Sequence, residues 1–254
     1  MTGFGAFLAK ELTEIRRTWR VWVMPGMLVF FGITSPIIAA ITPALVQSMA
    51  ASQPGVVIRI PPPKSLDAYA QFIKNLNQFV LIAVVITGAS VISGERSAGT
   101  AILALTKPLS RRAFVVAKIL SQALLLVTAT ALGTVACVVV TAAVFDGADG
   151  GRLVTAVALW LVYALLLVVV MTLFSGAFRS RGAAAGAGLG FYFLTLLLSS
   201  WGPAARYGFL GLVPAMRDAL MGQALSLGWP LATATAAIVV AGAAAVGIFE
   251  RQEL

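Results

Sequence analysis

Charged positions divide this chain into six long uncharged stretches, which follow Arg20, Lys74, Lys118, Arg152, Arg181 and Asp218. Each can hold the roughly 20 apolar residues that cross a hydrocarbon core. The pattern predicts six membrane spans, near 21–46, 76–93, 119–145, 153–178, 182–200 and 227–249. Ahead of the first, Phe4, Phe7, Leu8, Glu11, Leu12, Ile15, Trp19 and Trp22 follow helical spacing, while Lys10, Glu14, Arg17 and Arg20 fall elsewhere on the wheel. This predicts an amphipathic interfacial helix within residues 1–20. Glu11 interrupts its apolar stripe, so the helix either anchors on lipid or, through Glu11 and Glu14, faces a protein partner. The expected fold class is all-α, a polytopic membrane protein of six transmembrane helices with an N-terminal amphipathic interfacial helix.

The connections carry turn chemistry. Gln53-Pro-Gly and Pro61-Pro-Pro63 favour turn and polyproline geometry, and a weakly amphipathic stretch through Leu66, Tyr69, Phe72, Ile73 and Leu76 is expected on the outer membrane surface. Before the last span, Trp201-Gly-Pro203, Pro214 and Trp229-Pro230 punctuate apolar segments too short to cross, which suits short interfacial or re-entrant helices. No boundary or internal repeat interrupts the chain, so residues 1–254 read as one transmembrane domain.

Composition agrees, with 60% hydrophobic and 11% charged residues against about 25% charged in ordinary soluble domains. Six consecutive uncharged helices could not be covered by the polar surface of a soluble chain this size. An even number of spans puts both termini on one side. The connections on that side hold twelve Lys and Arg, and the others hold six. The positive-inside rule therefore assigns both termini to the cytoplasm. The net charge of +9 is explained by topology and anionic lipid, with no basic domain for nucleic acid. The first apolar run is too long for a cleavable signal peptide. Cys137, the single cysteine, falls inside a span and reads as a small apolar residue, and the absence of His removes the commonest metal ligand and general base.

The polar stretch 94–112 has its own design. Ser93 or Ser97 can cap a helix start, Glu95 suits the first turn, and Pro108 ends the segment, which predicts a helix of two to three turns. Gly99 removes bulk for a close-packed neighbour. Ser110 resembles the cap of the next helix, with Arg111 and Arg112 at headgroup level. In the fifth span, Gly182, Gly186 and Gly190 lie four apart on one face and permit close helix approach, either within the chain or at a dimer seam. Tyr163, Phe174, Phe191, Tyr192 and Thr195 are candidate contacts for a hydrophobic cargo, although the residues of a substrate site are not identified by the sequence.

Glu95-Arg96, Gly99-Thr100, Leu103, Leu105, Lys107-Pro108, Leu109-Ser110-Arg111 and Lys118 together resemble the signature of type-2 ATP-binding-cassette permeases (ABC-2 type), the membrane subunits of an exporter family. The match covers about twenty-five residues in order and spacing, and it follows the second span as in that family. Lys107 departs from the more frequent small or hydroxyl residue before the proline. The resemblance implies that residues 94–112 form a coupling segment, with Glu95, Arg96, Gly99 and Thr100 seated against an ATPase subunit. It also implies a permease dimer, homo- or heteromeric, served by two ATPase chains, in a prokaryotic cell (inner) membrane. This chain would bind no cofactor, ATP and Mg being held by the partner.

No Gly-x-x-x-x-Gly-Lys-Ser/Thr loop is present, so hydrolysis falls to another chain. The late connection holds only Arg179-Ser-Arg181 and has no room for the Glu-Ala-Ala loop of importers, which favours export of an amphipathic or hydrophobic substrate. The rival classes are an ion-coupled secondary transporter, which needs ionisable residues within its spans, and a membrane-embedded enzyme. The uncharged windows count against the first. The nine acidic residues are scattered over several loops, with no metal-site spacing, which counts against the second. No catalytic or metal-binding residue is expected.

Overall fold

The computed structural model describes residues 3–51, 61–99 and 110–251. Its long elements are α1 (Phe4–Arg17), α2 (Arg20–Ala51), α3 (Ser65–Asn75), α4 (Leu81–Gly88), α5 (Ser93–Ser97), α6 (Arg111–Val144), α7 (Gly150–Ala177), α8 (Arg181–Ser199), α9 (Gly202–Tyr207), α10 (Leu212–Met221) and α11 (Gly228–Arg251). No strand occurs among the described residues, and six helical rods are long and apolar enough to cross a membrane. The chain is an all-helical integral membrane protein.

Span 2 differs from its expected limits. It is a 33-residue rod, Ser65–Ser97, assembled from α3, a π turn at Leu76–Val80, α4, and a turn leading into α5. The stretch expected on the membrane surface is the far end of this rod. Tyr69, Phe72, Ile73 and Leu76 recur at helical spacing, so their apolar stripe continues that of the span and is buried in the core beside α2 and α10. Neighbouring helices exclude water from these side chains more fully than a headgroup layer can.

α7 is the hub, packed against α4, α6, α8, α10 and α11. Its Trp160, Tyr163, Leu167 and Met171 are buried in the main core. Because lipid tails are as apolar as leucine, such packing depends on close fit rather than on escape from water. One close fit is where α2 crosses α6: a Cβ added to Gly32 would lie 2.4 Å from the Gly133 carbonyl oxygen, and one added to Gly133 would lie 2.7 Å from the Leu28 carbonyl oxygen, so only glycine is accommodated. Large apolar side chains such as Phe30, Ile41, Val139, Leu197 and Val240 point outward, as they must against lipid.

The short helices expected before the last span are α9 and α10. α10 buries Leu212, Met216 and Leu220 against the bundle and ends at Gly222, whose φ of 68° is left-handed. On the opposite face, α1, the start of α6 and the end of α11 meet through an aromatic stack. Phe7 and Phe114 have ring centroids 5.2 Å apart, and Phe114 and Phe249 lie 5.0 Å apart and nearly parallel. Arg111 donates to the carbonyl oxygens of Phe249 and Glu250 (3.3 and 2.8 Å), satisfying the open end of α11.

Candidate functional site

Beside that stack lies a cluster of five charges drawn from three elements. α1 presents Lys10, Glu11 and Glu14, α5 presents Glu95, and α6 presents Lys118 two turns after its start. Ser110 caps α6 as its sequence suggests, its hydroxyl accepting from the Ala113 N–H at 3.2 Å. The Lys118 side chain is 3% exposed. Its ammonium reaches Glu11 Oε2 at 2.8 Å and Glu95 Oε1 at 2.5 Å. Lys10 completes the cluster from the rim, at 3.0 Å from Glu11, 2.6 Å from Glu14 and 3.3 Å from Glu95. Burial acts to lower the Lys10 pKa. Hydrogen bonds from Glu14 and Glu11, with the charge of Glu95, more than offset this and raise it above the ordinary lysine range.

Carboxylate oxygens of Glu11, Glu14 and Glu95 lie within 4.8 Å of one another, a spacing that would suit a cation. Here two lysine ammonium groups pair with all three, and the cluster reads as an ion-pair network. A buried charge is tolerated only when paired and hydrogen-bonded. The oxygens of Glu11 and Glu95 that face the buried Lys118 ammonium meet that condition and bind α1, α5 and α6 into one unit. A cavity of about 260 Å³ adjoins it, lined by Glu11, Glu95, Lys118, Gln122 and Arg181 among others.

α5 is also held from the side. The Ser175 hydroxyl near the end of α7 accepts from the N–H groups of Ile92 and Ser93 (2.9 and 3.0 Å) and donates to the Ala89 carbonyl at 2.8 Å. One hydroxyl thus satisfies backbone groups released where the rod turns between α4 and α5. Arg96 donates to the Gly176 carbonyl at 3.2 Å, and Arg181 at the start of α8 donates to the Gly94 carbonyl at 3.5 Å.

Several expectations change accordingly. Glu11 is buried and faces Lys118 of its own chain at 2.8 Å. Glu95 is 12% exposed and turned inward onto the two lysines. Arg96 is directed to the end of α7. Ser93 and Ser97 are not helix caps: their hydroxyls donate back to the carbonyls of Ala89 and Ser93, because the chain enters α5 already helical. The helix of two to three turns expected as far as Pro108 lies mostly outside the described residues, and α5 within them is a single turn of five residues. It is followed by Gly99 at φ 69°, where glycine serves a left-handed turn and an added Cβ would meet nothing within 4 Å. Thr100, Lys107 and Pro108 lie outside the described residues, as does the Gln53-Pro-Gly turn.

Gly182, Gly186 and Gly190 share the outward side of α8, and a Cβ on any of them would meet nothing within 4 Å. Close approach within the chain occurs at Gly188, where an added Cβ would lie 2.9 Å from Val85 Cγ1 and also collide with Met171. Three of the aromatic and hydroxyl candidates for cargo are core residues. Tyr163 and Thr195 share a 2.6 Å hydrogen bond, and Tyr192 donates to the Asn77 carbonyl in the π turn. Phe174 and Phe191 pack edge to face, 6.3 Å between centroids. Ser175 and Arg181 were missed by sequence reasoning; a lone hydroxyl near the end of an apolar helix and an arginine in a basic connection are too common to stand out.

Six spans, an amphipathic first helix, and a one-turn helix pinned by charge at the end of the span 2 rod are the layout of a polytopic membrane protein. The chain belongs to the ABC-2 family transporter proteins, whose family model matches residues 6–238. It is 22% identical over 185 residues to a protein of Bacillus subtilis (strain 168) named "Uncharacterized transmembrane protein YxlG", covering 73% of this chain and 72% of that one. Membrane proteins of this family are transport subunits that work with ABC ATPase partners and are not themselves enzymes.

Proposed function

We propose that this chain is the permease of an ATP-driven exporter in a prokaryotic cell (inner) membrane, with both termini and the charge cluster in the cytoplasm. The excess of Lys and Arg in the connections on that face supports the orientation. Two copies, or one copy and a related chain, pair across the membrane above two ATPase chains, and ATP and Mg reside on the ATPases. Residues 94–112 take the thrust of the ATPase, and the cargo is amphipathic or hydrophobic.

The observation that carries this reading is the sharing of Lys118 between Glu11 and Glu95. A force applied to α5 from below is passed through a buried ammonium to span 3 and to α1 together, and through Ser175 and Arg96 to span 4. Glu95 and Arg96 therefore act as positioning residues that fasten the coupling segment to the bundle. Gly99, at a left-handed turn after α5, and Thr100 complete the set that contacts the ATPase. Exposed Gly182, Gly186 and Gly190 supply a seam for the second permease.

The test is cargo-stimulated ATP hydrolysis by the reconstituted complex, with co-purification of the ATPase, for Glu95→Lys beside Arg206→Glu on the opposite face. Glu95→Lys sets a third cation beside Lys10 and Lys118 and abolishes stimulation, whereas Arg206→Glu retains it. Wild-type stimulation in Glu95→Lys would refute the coupling role.

A further inference from the structure

On the face opposite the charge cluster, a groove of about 560 Å³ runs between the second half of α2 and the length of α3. Its two walls differ in chemistry. One is apolar, formed by Ile38, Ala39 and Pro43 of α2, and the other is polar, formed by Lys64, Asp67, Gln71 and Lys74. The polar four recur at intervals of three, four and three, so they make a single stripe along α3 and its N-cap. The volume falls within the range of about 300–1,000 Å³ usual for small-molecule sites.

Depth determines what can enter. Lys74 stands 21 positions from Glu95 along the span 2 rod, or about 31 Å at 1.5 Å per residue, which is close to the roughly 30 Å of a bilayer core. Ile38 is 18 positions from the start of α2 at Arg20, about 27 Å by the same rise. Both therefore lie at the far edge of the hydrocarbon, with Lys64 above them in the headgroup layer. Neither lysine ammonium has a carboxylate within ion-pair distance among the described residues. Asp67 turns one oxygen to the Lys64 backbone N–H at 2.8 Å. The stripe is thus net positive, and the N-terminal end of α3 adds its partial positive charge beside Lys64.

We infer that this groove binds an anionic glycerophospholipid of the far leaflet, its phosphate between Lys74 and Lys64 and its first acyl methylenes along Ile38, Ala39 and Pro43. Apolar wall, cationic stripe and membrane depth all match that one amphiphile. The Lys74 stem, extending upward along the apolar surface, would deliver its charge at the phosphate level, toward Lys64. The inference is independent of ATP coupling, because it concerns the opposite face and needs no partner chain.

The experiment is native mass spectrometry of the full-length permease in detergent, without ATPase or nucleotide, titrated with phosphatidylglycerol or phosphatidylcholine. One phosphatidylglycerol per chain is retained, at least tenfold more tightly than phosphatidylcholine. Retention falls at least tenfold in the Lys64→Gln/Lys74→Gln double variant, is kept in Lys74→Arg, and is unchanged in Arg206→Gln on the same face. These side chains are exposed, and an unchanged unfolding temperature without lipid confirms folding. Equal retention by the double variant, equal retention of phosphatidylcholine, or displacement of the lipid by equimolar inorganic phosphate would each overturn the inference.

Discussion

Lys118 and Glu95, 23 residues apart in the chain, meet at 2.5 Å inside a cluster that also takes in Glu11 at the far end of the sequence. The pair joins the one-turn helix α5 to the residue that begins the uncharged part of span 3. Its loss has unequal consequences for the two partners, and this makes the cluster testable.

Lys118→Met should destabilise the permease more than Glu11→Gln. Removing the shared ammonium leaves the buried carboxylates of Glu11 and Glu95 with only the half-exposed Lys10 between them, a loss approaching the roughly 3–5 kcal/mol of a broken buried pair. Glu11→Gln leaves Lys118 still bonded to Glu95. Thermal unfolding in detergent measures the order. In the double variant part of the loss should be recovered, since one stranded carboxylate is then neutral.

Ser175→Ala should loosen α5 without touching any charge. The N–H groups of Ile92 and Ser93 lose their acceptor, at about 1–3 kcal/mol for each buried group left unsatisfied. Hydrogen exchange should rise over residues 89–97 and stay unchanged in α11. Cargo-stimulated ATP hydrolysis should fall while the ATPase still co-purifies.

Gly188→Ala and Gly186→Leu should fail in different ways. The first drives a methyl into Met171 and Val85, so folding of the single chain suffers, at about 1–3 kcal/mol for overpacking. The second adds bulk to an open face, so each chain folds while pairing between chains weakens. Unfolding temperature and the mass of the solubilised complex separate the two. A fully paired Gly186→Leu permease would remove the case for a seam on this face.

The rim of the cluster should be insensitive to pH across the neutral range. Because the Lys10 pKa is raised in the folded chain, its contribution is fully present below the ordinary value of 10.5 and is lost only as pH climbs through the folded value. Half exposed, Lys10 is screened by salt, so Lys10→Met should cost little and the cost should shrink further at high ionic strength. Unfolding temperatures of both proteins between pH 6 and 9, at low and high salt, check this.

The linear pattern of charge and hydropathy was enough to specify six spans, an amphipathic first helix and short helices before the last span. Those are properties of periodicity and of the energetic exclusion of charge from hydrocarbon, which act locally along a chain. Glu11 was visible as a flaw in an apolar stripe, but its partner lies 107 residues away and depends on how α1 crosses α6. The glycines of α8 were visible as a set, but which of them meets a neighbour turns on the rotation of one helix about its axis: Gly188 faces Met171, and Gly182, Gly186 and Gly190 face outward. The stretch from Leu66 to Leu76 had an amphipathic spacing that suits a membrane surface and a protein core equally, and only the position of α2 and α10 beside it made the core the better solvent. Helix identity therefore followed from local sequence, while the partner of each polar or small residue was decided by packing, because that choice depends on side chains brought together from distant parts of the chain.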